Sequence, residues 1–158
     1  MEEGTTPPIY RADKASDGTY TIFDVPVFAA HSEVIIPVMR KLDAMGCIVV
    51  MDGSPLEQEC LDILRGVPVS ISKICFAALD EKVNEAGVGA ASSLIRGWHR
   101  MDVKVVVVGV ENDDHAELVR QTGCSLSQGH RFKSPLSADH VLQLLAVIKK
   151  TKDAFKIL

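Results

Sequence analysis

Short apolar runs recur along the chain at intervals that predict five β-strands. The runs begin near residues 20, 47, 69, 103 and 124, and they are rich in Val, Ile and other strand-favouring residues. Four consecutive valines, 105–108, make the fourth run fully apolar before Gly109 ends it. The predicted strands are Tyr20–Val25, Cys47–Met51, Val69–Cys75, Val103–Val108 and Cys124–Ser127.

Between these runs, apolar side chains recur every three to four residues, which is the spacing of an amphipathic helix. Pro37 lies inside the first such segment, so we expect its regular helix to begin near that proline. The second segment has Pro55 in a position suited to the first residue of a helix. The predicted helices are 32–45, 55–65, one long helix from Asp80 to Arg100, one capped by Asn112 and ended by Gly123, and one capped by Ser137 with Val141, Leu144, Leu145 and Ile148 on one face.

Regular alternation of strands and helices predicts an α/β fold with a parallel sheet and right-handed crossovers. A closed barrel of this kind needs eight strands and usually about 250 residues, whereas this chain has 158. The five strands therefore form either an open sheet or part of a barrel. We assign residues 20–158 to this domain and the polar segment 1–19 to an N-terminal tail or edge segment.

Composition indicates which kinds of partner and which cellular compartment to expect. Hydrophobic residues make up 47% of the chain, which indicates an ordered domain. The net charge of -4 and an aromatic content of 5% argue against nucleic acid as the main partner. No signal peptide or membrane-length apolar stretch is visible, so we expect a cytoplasmic protein without a membrane partner. Scattered cysteines without a C-x-x-C pair predict buried free thiols at Cys47, Cys60, Cys75 and Cys124.

A charged or amide side chain lies near the C-terminal end of every predicted strand. Parallel α/β folds collect their functional groups at these ends. Each residue taken alone has a simple structural explanation, such as a turn, a strand end or a helix-entry charge. Their recurrence at all five ends favours a shared ancestral site more than any one of them does. These residues are Asp24, Asp52, Lys73, Glu111 and Gln128.

Several segments carry the motifs of one known family. They are TIFDVP (21–26), MGCIVVMDGS (45–54), VSISKICF (69–76), VVVVGVE (105–111), TGC (122–124), SQGHRF (127–132) and SPL (134–136). Together they resemble the EAL-domain phosphodiesterases of bacterial cyclic di-GMP signalling, whose corresponding last motifs read V-V-A-E-G-V-E, L-G-C, Q-G-Y-x-F and Pro-Leu. The resemblance covers about residues 20–146 and implies an incomplete TIM-barrel-like arrangement of about five parallel strands with flanking helices.

The resemblance also implies which residues descend from a catalytic site. Active relatives are taken to use two Mg²⁺ or Mn²⁺ ions, held by strand-end carboxylates, for an in-line displacement at phosphorus. Asp24 stands where the family has a metal-binding Glu, and Asp52 matches the first Asp of its Asp-Asp pair. Lys73 matches the lysine near the attacking water, and Gln128 matches the family glutamine.

Other positions of that site are changed or missing. Gly53 replaces the second Asp of the pair, and Val108 replaces the Glu of A-E-G-V-E. No E-A-L tripeptide occurs before Tyr20. Loss of one positioning group in such a site costs several kcal/mol of transition-state stabilisation. We therefore expect no phosphodiesterase activity, no metal or other cofactor, and a vestigial site comprising Asp24, Asp52, Lys73 and Gln128, of which Asp24 and Asp52 are only weak metal candidates.

The expected function is a catalytically inactive EAL-like module of cyclic di-GMP signalling that acts through protein interaction or regulation. A barrel cut open exposes strand edges and helix faces, which favours self-association or a protein partner. Two alternatives stay open. One is a residual cyclic di-GMP receptor of weak affinity. The other is a receiver-like signalling domain, although a receiver needs its phosphoacceptor Asp after the third strand, where Ile74, Cys75 and Phe76 stand.

Overall fold

A computed structural model describes residues 22–27 and 32–155 of the chain. Within these residues the five strands form one parallel sheet, which confirms the predicted α/β alternation. The predicted tail 1–19 and the start of the first predicted strand lie outside the described residues. The strands are β1 (Ile22–Pro26), β2 (Ile48–Asp52), β3 (Ile71–Cys75), β4 (Lys104–Val108) and β5 (Leu126–Gln128). The helices are α1 (Ile35–Ala44), α2 (Gln58–Ile63), α3 (Phe76–Ala86), α4 (Val88–Arg100), α5 (Asp113–Gln121) and α6 (Ala138–Phe155).

The order of the strands separates the two folds that the sequence left open. They lie side by side in chain order, β1-β2-β3-β4-β5. A receiver has the order 2-1-3-4-5, because its chain reverses direction across the sheet. The receiver-like alternative is therefore wrong for this chain. Neighbouring strands that follow the chain order are the arrangement of a (β/α) barrel wall.

The hydrophobic core lies on the helix side of the sheet. Because successive side chains of a strand point to opposite faces, alternate residues of each strand belong to this core. Trp98 of α4 is fully buried among them. The strand residues of the core are Val49, Met51, Ile74, Val105 and Val107. On the other face of the sheet, called the open face below, Ile22 and Leu126 at the two edges are 42% and 43% exposed, whereas Val50 at its centre is buried.

Three predicted helices differ from the observed ones. Helix α1 begins at Ile35, so Pro37 falls in its first turn. Backbone N–H groups of the first turn have no intrahelical acceptor, so the proline costs the helix no hydrogen bond. Helix α2 begins at Gln58, and Pro55 lies in the preceding loop. The single helix predicted from Asp80 to Arg100 is two helices, α3 and α4, which meet at Gly87 with φ 81° and ψ 163°. Only glycine adopts that backbone region readily, so the helix is interrupted there.

The caps predicted for the last two helices are confirmed. Asn112 Oδ1 accepts a hydrogen bond of 2.9 Å from the backbone N–H of His115 at the start of α5. Ser137 Oγ accepts one of 3.4 Å from the backbone N–H of His140 at the start of α6. The predicted apolar face of α6 does not reach the core, because its residues stay 40–54% exposed. No helix within residues 22–27 and 32–155 is long and apolar enough to cross a membrane.

The prediction of buried free thiols holds for part of the cysteine set. All four cysteines are free, and Cys60 and Cys124 are buried. Cys47 is half-buried, and Cys75 at the end of β3 is exposed, so the prediction is wrong for Cys75. The reason is that Cys75 lies at the end of the strand and on the open face of the sheet, away from the helices.

Candidate functional site

Asp24 and Lys73 lie on the same, open face of the sheet. Asp24 pairs with Val50 of β2 in the strand register, and Val50 pairs with Ile71 of β3. Lys73 is two residues beyond Ile71 and therefore points to the same face. None of these four residues belongs to the helix-side core.

The strand register also places Asp52 and Gln128 on this face. Lys73 pairs with Val106 of β4, and Val108, two residues further, pairs with Gln128 of β5. Asp52 lies two residues beyond Val50 in β2. The fold thus brings four of the predicted site residues, and the apolar Val108, to one face of the sheet, as the strand-end argument predicts.

Asp24 and Lys73 form the central contact of the site. Lys73 Nζ donates to both carboxylate oxygens of Asp24, at 2.9 Å to Oδ1 and 2.8 Å to Oδ2. Both side chains are partly withdrawn from solvent, with 25% of Lys73 and 29% of Asp24 exposed. A charge-assisted pair in partial shelter is stronger than an exposed one, because water screens it less.

Asp52 and Gln128 do not join this pair. Both are exposed at the ends of their strands, and among the described residues neither side chain bonds to Asp24 or Lys73. Glu111 is exposed in the loop after β4, where its backbone N–H donates to His115 Nδ1 at 3.4 Å. The predicted constellation therefore reduces to one ion pair with separate polar groups around it.

Side-chain contacts hold together the loops at the C-terminal ends of β3, β4 and β5. The rings of Phe76 and His115 stack with centroids 3.8 Å apart and planes 7° apart, which joins the start of α3 to α5. Arg131, after β5, forms an ion pair with Asp113 at the start of α5. Sequence reasoning missed both contacts; the signals were an aromatic residue next to the end of β3 and a ring in the capped first turn of α5.

The Gln-Gly step after β5 fits tightly against the loop after β4. The N–H of Val110 donates to the carbonyl of Gln128, and the N–H of Arg131 donates to the carbonyl of Val110, both at 3.1 Å. A Cβ added to Gly129 would overlap the backbone of Val110. Only glycine allows so close an approach of two backbones. The GVE segment (109–111) and the Gln128-Gly129 step, which both belong to the family motifs, are therefore held together by backbone hydrogen bonds.

Comparison with known proteins decides the family. A family model described as "EAL domain" matches residues 20–135. This chain belongs to the EAL domain family. The resemblance inferred from its motifs is confirmed.

Individual relatives of this EAL domain agree with the assignment. Cyclic di-GMP phosphodiesterase RocR of Pseudomonas aeruginosa is 29% identical over 103 residues, which are 65% of this chain and 26% of RocR. The solved structure titled "PaMucR Phosphodiesterase, c-di-GMP complex" is 25% identical with a TM-score of 0.62, covering 76% of this chain and 50% of that chain. The EAL domain of Mycobacterium smegmatis DcpA has a TM-score of 0.66 at 20% identity, covering 79% of this chain and 57% of that one. The chain therefore spans about a quarter of RocR and about half of these solved chains, and its fold is TIM-barrel-like.

The residues of this EAL domain do not fit a two-metal centre. Gly53 and Val108 offer no side-chain oxygen at positions where the resemblance implies metal ligands. Both oxygens of Asp24 already accept hydrogen bonds from Lys73. Among the described residues, no group of three or more His, Cys, Asp and Glu side chains is placed to hold a metal ion. Divalent metals of this kind need several oxygen ligands around one point.

Proposed function

We propose that this EAL domain does not hydrolyse cyclic di-GMP and acts as a protein-interaction or regulatory module in cyclic di-GMP signalling. The observation that carries the proposal is the Asp24–Lys73 ion pair at the centre of the open face. An ammonium group neutralises the carboxylate that a metal would need. Gly53 and Val108 remove two further ligand positions.

The chemistry of phosphodiester hydrolysis supports the proposed lack of activity. In-line displacement at phosphorus by two metals requires both the attacking and the leaving oxygen to be stabilised. Asp52 and Gln128 alone supply too few oxygens to hold two ions in a fixed geometry. Val108 also places an apolar side chain beside Gln128, where developing charge would lack stabilisation.

Helix α6 supports the interaction half of the proposal. Six of its large apolar side chains are 40–65% exposed: Val141, Leu142, Leu144, Leu145, Val147 and Ile148. Monomeric proteins rarely expose contiguous apolar patches larger than a few hundred Å². We assign the face formed by Val141, Leu144, Leu145 and Ile148 to a second copy of the chain, whose identical face would remove these side chains from water. An isologous dimer needs a surface that is its own partner, and an apolar helix face meets that requirement.

The first experiment is an assay of pure protein with cyclic di-GMP and millimolar Mg²⁺ or Mn²⁺. We expect no product above that of a buffer blank, while an active EAL phosphodiesterase in parallel gives full turnover. Asp52→Asn is the matched variant, since among the described residues Asp52 is the carboxylate of the predicted site that does not bond to Lys73. Metal-dependent turnover that disappears in Asp52→Asn would overturn the proposal.

Calorimetric titration with cyclic di-GMP distinguishes the proposed module from a nucleotide receptor. The PaMucR phosphodiesterase was solved as a c-di-GMP complex, so its fold can hold the nucleotide. In this chain we expect no binding heat at micromolar concentrations. Micromolar or tighter affinity would instead favour a receptor.

A further inference from the structure

Lys73 reaches across a whole strand to meet Asp24. β2 lies between β1 and β3 in the sheet, and Asp24 lies beside Val50 of that middle strand. We propose that Lys73 supplies, from within the chain, the positive charge that Asp24 would otherwise take from a metal, and that the pair fastens β1 to the sheet. This goes beyond the proposed function, although it rests on the absence of a metal centre.

The burial of Val50 supports a structural role for the pair. Val50 is 2% exposed, although it lies on the face away from the helices and outside the helix-side core. Its neighbour in the register is Asp24, and the Lys73 side chain meets Asp24 from the far side of β2. The two charged side chains therefore lie over Val50, and the aliphatic stem of the lysine covers apolar surface.

The ion pair stabilises β1, which is an edge strand of the described sheet. Within the described sheet, β1 pairs with one strand, β2, and an edge strand has fewer backbone hydrogen bonds to hold it than a central strand. An ion pair from β1 to β3 adds a bond that backbone pairing cannot provide. Its loss should therefore loosen β1 before it affects β4 or β5.

Electrostatics explains why the pair replaces a metal instead of assisting one. Both Asp24 oxygens bond one ammonium nitrogen, so a divalent ion would have to displace Lys73 to reach them. A divalent ion bound to the Asp24 carboxylate would also be repelled by the neighbouring Lys73 ammonium group. Removal of the lysine leaves a partly sheltered carboxylate without a counter-charge, which destabilises the fold.

Thermal unfolding of wild type and three variants, in millimolar Mn²⁺ and in chelator, tests whether Lys73 replaces a metal. We expect the wild-type Tm to be unchanged by either. Lys73→Met should lower the Tm by several degrees, and Mn²⁺ should restore part of the loss by supplying the missing charge. Asp24→Asn/Lys73→Met should not respond to Mn²⁺. Lys73→Arg, which keeps the charge, should stay close to wild type.

Hydrogen exchange of backbone amides tests the fastening of β1. In Lys73→Met we expect faster exchange in β1 and the facing part of β2, with β4 and β5 protected as in wild type. Lys73→Gln, which keeps a donor without the charge, replaces Lys73→Met in both measurements if the methionine variant does not fold.

Three results would overturn the inference: a wild-type chain that Mn²⁺ stabilises through Asp24, a Lys73→Met chain as stable as wild type, or a Lys73→Met chain that Mn²⁺ does not rescue. These readouts are separate from turnover. A chain that hydrolyses cyclic di-GMP yet shows faster exchange of β1 in Lys73→Met would refute the proposed function and leave the fastening of β1 by the ion pair intact.

Discussion

At the scale of single residues, burial gives the cysteines different chemistry. Cys60 of α2 is 4% exposed, and its burial raises the pKa of its thiol to about 11, with a smaller contribution from the nearby charge of Glu57. Burial also raises the pKa of the Cys124 thiol. Cys75 is exposed. Since the thiolate is the reactive form, Cys60 and Cys124 are poor nucleophiles at neutral pH.

The raised pKa of Cys60 predicts a loss of stability in alkali. Below pH 9 the thiol is protonated in the folded and in the unfolded chain. Between the ordinary value of 9.0 and the folded value of about 11, only the unfolded chain releases the proton, so the free energy of unfolding falls. Two pKa units at about 1.4 kcal/mol each imply a contribution from Cys60 of about 2–3 kcal/mol to this fall.

Urea unfolding of wild type and Cys60→Ala from pH 8 to pH 11 measures this contribution. The variant starts less stable because it leaves a cavity, but its stability should decline less steeply across the window. Cys75→Ala, at an exposed position, is the matched control and should follow the wild-type slope. Parallel curves for wild type and Cys60→Ala would contradict the prediction.

Other features at this scale could not be predicted from the sequence. Strand ends indicated Asp24 and Lys73 as candidate residues, but their bond depends on the strand register and on the reach of a lysine across β2. The Phe76–His115 stack joins residues of two different helices. Local patterns identify the positions of such residues, whereas their partners are set by tertiary packing.

At the scale of elements, Gly87 determines where a helix stops. Helical spacing from Asp80 to Arg100 predicted one helix, because a glycine inside a helix is tolerated at a cost of about 1 kcal/mol. The structure instead bends the chain at Gly87 into a conformation with φ 81° and ψ 163°. The strands were predicted to within a few residues, since long apolar runs depend less on such single positions.

Substitution of Gly87 tests this assignment. We expect Gly87→Ala to destabilise the fold by about 1–3 kcal/mol, because a side chain strains this backbone region. No atom lies within 4 Å of the added Cβ, so the loss would come from the backbone alone. Gly89→Ala is the matched control: it lies in α4 with an equally open Cβ position and should be neutral or stabilising. Equal effects of the two substitutions in urea unfolding would contradict the assignment.

At the scale of the whole molecule, one face of the sheet is covered by helices and the other is open. Counting of strands could not distinguish an open sheet from a barrel wall, because both alternate strands and helices. The motifs between Gly109 and Gly129 implied the barrel family, which the family match confirms, and the strand order agrees with a barrel wall. The fate of the apolar face of α6 could not be predicted, since periodicity shows that a face is apolar and not what covers it.

The exposed face of α6 predicts that the chain associates with itself. Light scattering after size-exclusion chromatography should give the mass of a dimer for wild type at micromolar concentrations. Leu145→Glu places a charge on the 54%-exposed residue of that face and should shift the population to monomer without unfolding the domain, since the residue contributes nothing to the core. Gln143→Glu, a polar position of the same helix, is the matched control and should remain dimeric.

Self-association through α6 also has a thermodynamic signature. If α6 is covered only in the dimer, the Tm of wild type should rise with protein concentration, because association stabilises the folded chain by mass action. The Tm of Leu145→Glu should be independent of concentration and should equal that of dilute wild type. A wild-type chain that stays monomeric with a constant Tm would refute self-association. Dimers that survive Leu145→Glu would place the contact on another surface.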